Sequence, residues 1–316
     1  MIIGHERVIR YLEQVLSKGT LAHAYLFHGA EGVGKRTIAL AVAQALLCTA
    51  GGRVRIGGCG ACEDCRLLER EAHPDLLLLG PERLLAAEEL KRGIGIKNAR
   101  ELIRLLALSP WRSGRTVAVV DGADALSGEA QSALLKTLED PPGASVIILV
   151  ARSAEALLPT IRSRCIPLGF TTLAEETLLP LFAGLPAKRR EEMLTLAEGR
   201  PGLAVRLMAD QELAGRLRTA AVERAALIRA TLADQFAFSK RMSREPEALA
   251  SFLDGLMRSF RRELLASLAE PAGERVSLLA GFLATLLDRF SLAEATTVNR
   301  RLIADSVFMA LPAATS

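Results

Sequence analysis

The stretch Gly29-Ala30-Glu31-Gly32-Val33-Gly34-Lys35-Arg36-Thr37 has the pattern of a phosphate-binding loop with one substitution. Glycines in such a loop let a strand-to-helix turn wrap its backbone N–H groups around phosphate oxygens, at the positive end of the following helix. Lys35 is placed to reach the terminal phosphates, but Arg36 stands where a Ser or Thr hydroxyl would hold Mg²⁺. The residues predicted to form this incomplete nucleotide site are Gly29, Gly32, Gly34, Lys35, Arg36 and Thr37.

Apolar runs of strand length alternate with helix-length segments on both sides of this loop. Residues 23–27 lead into the loop as a strand, and residues 75–79, 116–120 and 145–150 are continuous apolar runs. Helices are predicted over residues 96–108 and 129–138. Such alternation is typical of an α/β domain with a mostly parallel sheet. We place this domain at residues 1–170.

The rest of the chain has helical patterns only. Residues 171–209 are predicted to form a small helical domain, interrupted by the turn Gly199-Arg200-Pro201-Gly202. Residues 210–316 form a second helical domain, with a break at residues 271–273. One stripe of apolar residues recurs there at spacings of three and four, which indicates core packing or an interface between subunits. Its members are Leu249, Leu253, Leu256, Phe260, Leu264 and Leu268.

Composition limits the possible classes of protein. The chain has 316 residues, enough for two or three domains, and half of them are hydrophobic. Its net charge of +4 is spread along the chain without a basic tail, so paired arginines are read as solvated helix faces. No signal-peptide pattern and no apolar run of membrane-spanning length is present. We expect a cytoplasmic protein without a membrane segment.

A second element of the nucleotide site follows the third apolar run. Asp121 ends that run and is placed to reach Mg²⁺ directly or through water. The next residue is Gly122, where ATPases of this plan carry a glutamate that polarises the attacking water. Asp124 would point elsewhere if the strand simply continued into its loop. An ordinary strand ending in a turn is the alternative, but the phosphate-binding loop supplies the matching half of a nucleotide site.

Four of the five cysteines are grouped in residues 48–65. Cys59, Cys62 and Cys65 follow each other at C-x-x-C spacing, which lets three thiolates converge on one metal, and Cys48 can complete a tetrahedron. An iron–sulfur cluster is the alternative, although the downstream Cys-Pro ligand of ferredoxins is absent. The spacing favours structural Zn²⁺ with no open coordination position.

The last motif is Ser163-Arg164-Cys165, which follows the fourth apolar run and a short helix. An arginine at a domain surface can reach the γ-phosphate bound by a neighbouring subunit and act as an arginine finger. An arginine that caps a helix or pairs with a carboxylate would explain the same three residues.

Together these motifs resemble those of bacterial clamp-loader subunits of the AAA+ class, which belong to the DNA polymerase III holoenzyme. The resemblance includes residues 24–27, the four-cysteine insertion, Ala133 to Pro142 and Pro159 to Cys165, and it is dense over residues 1–170. It implies an AAA+ α/β domain with a zinc module, a helical lid at residues 171–209 and a helical collar at residues 210–316.

The resemblance also implies a role and partners. Catalytic members of the γ/τ type carry an intact loop, an Asp-Glu pair and a lid arginine, whereas this chain has Arg36, Gly122 and Gly202 at those positions. It also has Arg152-Ser153 at the usual polar sensor site. This combination implies a member that hydrolyses no ATP and donates Arg164 to a neighbour, with ATP or ADP held weakly or absent. An active ATPase and a scaffold unrelated to replication are the alternatives.

The implied partners are γ/τ-type and δ-type subunits in a hetero-pentamer. Through that complex the chain would act on the β sliding clamp and primed DNA. The implied cofactor is structural zinc.

Overall fold

The structure is a computed structural model that describes residues 2–50, 55–80, 94–244, 246–268, 273–294 and 299–312. The chain divides into two compact units, Met1–Leu207 and Met208–Ser316. Residues 171–207 therefore cluster with the α/β domain in the first unit. A separate helical lid starting at residue 171 stays a prediction.

A parallel sheet of five strands forms the centre of the first unit. The strands are β1 (Ala24–Gly29), β2 (Leu76–Leu79), β3 (Val117–Asp121), β4 (Val146–Ala151) and β5 (Ile166–Phe170), in the spatial order β2-β3-β4-β1-β5. The predicted α/β class and the first four strands are confirmed. β5 was missed, because it is an edge strand whose exposed Ile166 and Pro167 interrupt the apolar pattern.

Helices cover both faces of the sheet, which explains why its central strands are continuous apolar runs. Alternate residues of β1 point to opposite faces: Leu26 belongs to one core cluster, and Tyr25 and Phe27 belong to the other. The helices of this region are α1 (Glu6–Lys18), α2 (Lys35–Leu47), α3 (Glu63–Glu69), α4 (Ile96–Leu106), α5 (Gly128–Glu139) and α6 (Pro159–Arg162). α4 and α5 match the predicted helices within two residues.

The remaining helices of the first unit are α7 (Glu175–Leu178), α8 (Ala187–Ala197) and α9 (Pro201–Ala209). The predicted turn at residues 199–202 is confirmed, since α8 ends before Gly199 and α9 begins at Pro201. Proline is favoured at the start of a helix because its missing N–H has no intrahelical acceptor there.

The second unit is helical throughout its described residues. Its helices are α10 (Gln211–Ile228), α11 (Leu232–Met242), α12 (Pro246–Ser267), α13 (Glu274–Glu294) and α14 (Arg300–Met309). The predicted apolar stripe of α12 is buried from Leu249 to Phe260, and Leu264 packs against the same core cluster. Leu268 is exposed, so the stripe ends before it. Of the predicted break at residues 271–273, residues 271 and 272 lie outside the described residues.

No described helix is long and apolar enough to cross a membrane.

Candidate functional site

The phosphate-binding loop connects the carboxyl end of β1 to the amino end of α2. Gly29, Gly32 and Gly34 have φ angles of +143°, +77° and +104°, a region that side chains rarely adopt. A Cβ at Gly29 would meet the carbonyl oxygen of Phe170 at 2.0 Å, so this position requires glycine. The loop therefore keeps the backbone shape that points N–H groups at a bound anion.

Lys35 is buried at the first position of α2, where the sequence placed it. Its Nζ donates hydrogen bonds to the carbonyl oxygens of Gly29 at 2.5 Å and Ala30 at 2.7 Å. Burial lowers the pKa of Lys35, while the nearby carboxylates of Asp124 and Asp121 oppose that shift. Lys35 thus lies beneath the loop, where the carboxylates of Asp121 and Asp124 interact electrostatically with it.

Arg36 forms ion pairs with two carboxylates that approach the loop from different elements. Its Nη2 lies 2.5 Å from Oε1 of Glu71, and its Nε lies 3.4 Å from Oδ2 of Asp121. The structure therefore brings Arg36 and Asp121 together as predicted. Glu71 follows α3 and carries no motif, so sequence reasoning missed it.

The chain turns sharply after Asp121. Gly122 has φ +71° and leads into a 3-10 turn at Ala123–Ala125. A strand that simply continued would direct Asp124 away from the nucleotide site. Because of this turn, Asp124 instead lies near enough to Lys35 to influence its pKa. Its Oδ2 also accepts a hydrogen bond from Nε of Arg152, the residue after β4, at 2.7 Å. A glutamate at position 122 would have to adopt a left-handed backbone conformation, which is unfavourable.

The turn before α9 lies directly against the loop. The N–H of Gly202 donates to the carbonyl oxygen of Gly32 at 2.7 Å, and a Cβ at Gly202 would meet that oxygen at 2.9 Å. An arginine at position 202 would therefore press against the loop backbone. Arg206, one helical turn further, lies 3.6 Å from Glu31 of the loop, an exposed pair that sequence reasoning missed.

An open, mostly apolar cleft adjoins the loop. The amino-terminal segment, α2 and the start of α9 form its walls. His5 ties the amino-terminal segment to the loop, because its Nε2 donates to the carbonyl oxygen of Val33 at 2.8 Å. The cleft is lined by residues that include Ile2, Ile3, Thr37, Leu181, Pro201 and Val205.

Arg164 lies at the amino ends of the parallel strands, whereas the phosphate-binding loop lies at their carboxyl ends. It precedes β5, and β5 runs parallel to β1 with Ile166 beside Tyr25 and Phe170 beside Gly29. Four residue steps, about 13 Å of strand, therefore separate the start of β5 from the loop edge. Arg164 is thus not part of this chain's own nucleotide site.

The guanidinium of Arg164 is oriented by two elements. Its Nε donates to Oε1 of Glu139, the last residue of α5, at 2.7 Å, and its Nη2 pairs with the same oxygen. Its Nη1 donates to the carbonyl oxygen of Thr160 at 2.9 Å. About a third of the Arg164 side chain is exposed, whereas the following Cys165 is buried in the core. The guanidinium of Arg164 is therefore held in place by Glu139 and Thr160, while part of the side chain remains exposed.

The four cysteines at positions 48, 59, 62 and 65 converge as predicted. All four Sγ atoms lie within 4.8 Å of one another, and the Cys48–Cys62 and Cys59–Cys65 Sγ distances are both 3.8 Å. Metal–sulfur bonds of about 2.3 Å in a tetrahedron give sulfur separations of about 3.8 Å. The cluster could therefore hold a four-coordinate metal ion.

The environment favours the thiolate at Cys59 and the thiol at Cys65. The N–H groups of Ala61 and Cys62 point at Sγ of Cys59 and lower the pKa of that thiol to about 6. Burial raises the pKa of the Cys65 thiol to about 12. A Cβ at Gly58 would meet Sγ of Cys65 at 2.8 Å, so the tight turn there depends on glycine.

A buried polar network supports the cysteine cluster from below. Asp64, within α3, pairs with Nε of Arg112 at 2.9 Å and contacts the hydroxyl of Thr49 and the ring of His73. Asp75 accepts the backbone N–H groups of residues 111, 112 and 113 at 2.6–2.9 Å. Sequence reasoning missed this network, because bonded partners such as Asp64 and Arg112 lie 48 residues apart.

Replacing Asp75 by Asn should destabilise the fold by about 3 kcal/mol at neutral pH, because a charged acceptor of three part-buried backbone N–H groups is lost. Burial alone would raise the pKa of Asp75, but the N–H donors outweigh it and the net pKa is lowered. The stabilisation from this carboxylate is therefore present above the ordinary aspartate pKa of about 4 and is lost as the pH falls towards the lower folded-state pKa. Urea unfolding across this range should show the difference between wild type and Asp75→Asn shrinking with acid. A difference independent of pH would contradict this role.

The sequence comparisons agree with this geometry. Residues 4–174 match the family described as DNA polymerase III, delta subunit. The chain is 37% identical over 190 residues to DNA polymerase III subunit delta' of Pseudomonas aeruginosa, covering 59% of this chain and 56% of that protein. It is 34% identical over 177 residues to DNA polymerase III subunit tau of Salmonella typhimurium, covering 56% of this chain and 26% of that protein. Among solved structures it is similar to Thermotoga maritima RuvB, with 17% identity, a TM-score of 0.43, and coverage of 65% of this chain and 60% of that one.

The chain belongs to the DNA polymerase III delta subunit family, and its fold is a parallel α/β domain followed by helices. Within this family the chain resembles the delta' subunit, as its similarity to the Pseudomonas aeruginosa protein shows. The aligned region spans about half the length of that relative.

Proposed function

We propose that this chain is a clamp-loader subunit of the δ′ type, which hydrolyses no ATP itself and supplies Arg164 to ATP bound by a neighbouring subunit. The proposal rests on one observation, the separation between the phosphate-binding loop and Arg164. The phosphate-binding loop lies at the carboxyl edge of the sheet and Arg164 at its amino edge. An arginine in that place can complete only a site presented by another chain.

The chain's own loop supports a non-hydrolysing role. Arg36 replaces the metal-holding hydroxyl and is paired with Asp121. Gly122 leaves no carboxylate to polarise water, and its positive φ disfavours one. Gly202 lies in contact with the loop where a lid arginine would be needed. Three separate parts of a hydrolytic site are thus replaced, each by a residue that fits its surroundings.

The contacts of Arg164 support its role in trans. Glu139 and the carbonyl oxygen of Thr160 orient the guanidinium, and the exposed part of the side chain is available to a partner. A γ-phosphate carries more negative charge than the Glu139 carboxylate, so it competes for the guanidinium when a neighbour docks. Such a finger stabilises the charge that develops during phosphoryl transfer.

Zn²⁺ is the metal that we propose for the cluster of Cys48, Cys59, Cys62 and Cys65. Four thiolates at tetrahedral spacing match its structural sites, which leave no position open for substrate. The metal would hold the segment from Cys59 to Cys65 against Cys48, at the end of α2. It supplies folding energy there and takes no part in ATP chemistry.

The partners follow from the proposed role. We propose γ/τ-type and δ-type subunits in a hetero-pentamer, with residues 171–209 as its lid and residues 210–316 as its collar. The assembly would load the β sliding clamp onto primed DNA in the cytoplasm. Family membership and the tau relative support this set of partners.

The experiment that tests the proposal is reconstitution from purified subunits of one organism. The isolated chain should hydrolyse ATP no faster than a buffer blank, and it should co-elute with γ/τ-type and δ-type subunits in size-exclusion chromatography. Hydrolysis by the isolated chain at rates typical of AAA+ motors would indicate an active ATPase instead. Failure to join the complex would contradict the clamp-loader role.

A further inference from the structure

The guanidinium of Arg36 lies where a phosphate-binding loop normally gathers the ligands of Mg²⁺. In such loops the hydroxyl at this position and an aspartate at the end of a neighbouring strand hold the ion. Here Nε of Arg36 faces Oδ2 of Asp121 at 3.4 Å, and Nη2 faces Oε1 of Glu71 at 2.5 Å. An arginine side chain has five N–H donors and no acceptor, so it cannot bind a cation.

Charge in this region also disfavours a divalent ion. Asp121 and Glu71 are both paired with Arg36, and Asp124 is paired with Arg152 at 2.7 Å. The Nζ of Lys35 lies beneath the loop, where it donates hydrogen bonds to the carbonyl oxygens of Gly29 and Ala30. A metal ion entering here would have to displace a guanidinium from its carboxylates and would be repelled by the remaining cations.

The loop nevertheless keeps its shape for phosphate. Lys35, Gly202 and His5 donate hydrogen bonds to loop carbonyl oxygens at positions 29, 30, 32 and 33, which ties those oxygens to neighbouring groups. Peptide N–H groups of the loop lie at the amino end of α2, where the helix dipole favours an anion. The adjoining cleft offers apolar surface, including Ile2, Leu181 and Val205, to a planar base.

We propose that Arg36 takes the place of the metal ion and that this loop binds a nucleoside diphosphate in a Mg²⁺-independent way. The phosphates would be neutralised by the guanidinium of Arg36 and the ammonium of Lys35, and guanidinium groups bind phosphate oxygens in fork geometry. The base would lie in the cleft between the amino-terminal segment and α9. Binding of this kind needs no hydrolysis and does not depend on the role of Arg164.

Titration of the full chain with a fluorescent ADP derivative, in excess Mg²⁺ or in excess EDTA, tests the proposal. The wild-type dissociation constant should differ less than about twofold between the two conditions, which is under about 0.4 kcal/mol. Lys35→Ala should lose most of the binding in both. Absence of saturable binding by the wild-type chain, or binding that requires Mg²⁺, would overturn the proposal.

Restoring the hydroxyl gives the matched variant. Arg36→Ser should bind at least about tenfold more tightly with Mg²⁺ than with EDTA, because the serine hydroxyl and the Asp121 carboxylate can hold the ion once the guanidinium is removed. Arg104→Ser removes another arginine that is paired with a glutamate, on α4, and should behave as wild type. Metal-independent binding by folded Arg36→Ser would also count against the proposal. The wild-type titrations decide the question even if this variant does not fold.

Discussion

Replacing Arg164 by Ala should slow ATP hydrolysis at the neighbouring subunit's site by about 10³- to 10⁵-fold, while the loader still assembles. The reason is that the guanidinium would no longer stabilise the charge of the transferring phosphoryl group. The measurement is DNA-stimulated ATP hydrolysis and clamp loading by a reconstituted complex, together with its elution volume. The total rate of ATP hydrolysis by the complex should fall by the fraction that the neighbouring subunit's site contributes to it. Unchanged turnover in a correctly assembled complex would defeat the finger assignment.

Two further variants separate loss of the finger from loss of structure. Arg164→Lys keeps a positive charge but loses the planar fork, so it should remain slow. Arg104→Ala removes an exposed arginine that donates two hydrogen bonds to Glu101, at 2.7 and 2.8 Å, and should leave the rate unchanged. Arg164 is partly exposed and ion-paired with Glu139, so its removal should change the free energy of unfolding by no more than about 1 kcal/mol.

Replacing Cys62 by Ser should remove the metal and unfold the module around it. We expect about one zinc per wild-type chain and none in the variant, because three remaining thiolates bind zinc far more weakly. Structural zinc sites in small peptides contribute about 10–16 kcal/mol of binding free energy, and part of that is folding free energy here. Metal analysis and hydrogen exchange over residues 55–69 measure both effects.

The fifth cysteine provides the control for the zinc prediction. Cys165 is buried in the α/β core, outside the cluster, and burial raises the pKa of its thiol to about 12. Cys165→Ala should lower stability through lost packing but keep the zinc. A wild-type chain that contains no zinc, and a Cys62→Ser variant with an unaltered melting curve, would refute the assignment.

Local patterns explain what could be predicted from the sequence. The loop glycines, the apolar strands and the C-x-x-C spacing each determine structure within a few residues, so the loop and the cysteine cluster were placed correctly. Asp121 was also placed correctly, because a parallel strand ends at the same edge as β1. These features depend on backbone geometry and burial, which nearby residues largely decide.

Contacts between distant residues explain what could not be predicted. Glu71 meets Arg36 across 35 residues, and Glu139 meets Arg164 across 25. Neither glutamate lies in a sequence pattern that predicts which residue it pairs with. Asp124 reaches Arg152 only because Gly122 turns the chain, a conformation that depends on one φ angle. The contact between Asp64 and Arg112 likewise joins two elements 48 residues apart.

The central claim is that this chain's own loop performs no hydrolysis and that Arg164 serves another chain's ATP. Its most direct test compares DNA-stimulated ATP hydrolysis by loaders that contain Lys35→Ala or Arg164→Ala in this subunit alone. We expect a wild-type rate with Lys35→Ala and a reduced rate with Arg164→Ala. Either a reduced rate with Lys35→Ala or a wild-type rate with Arg164→Ala would contradict this proposal.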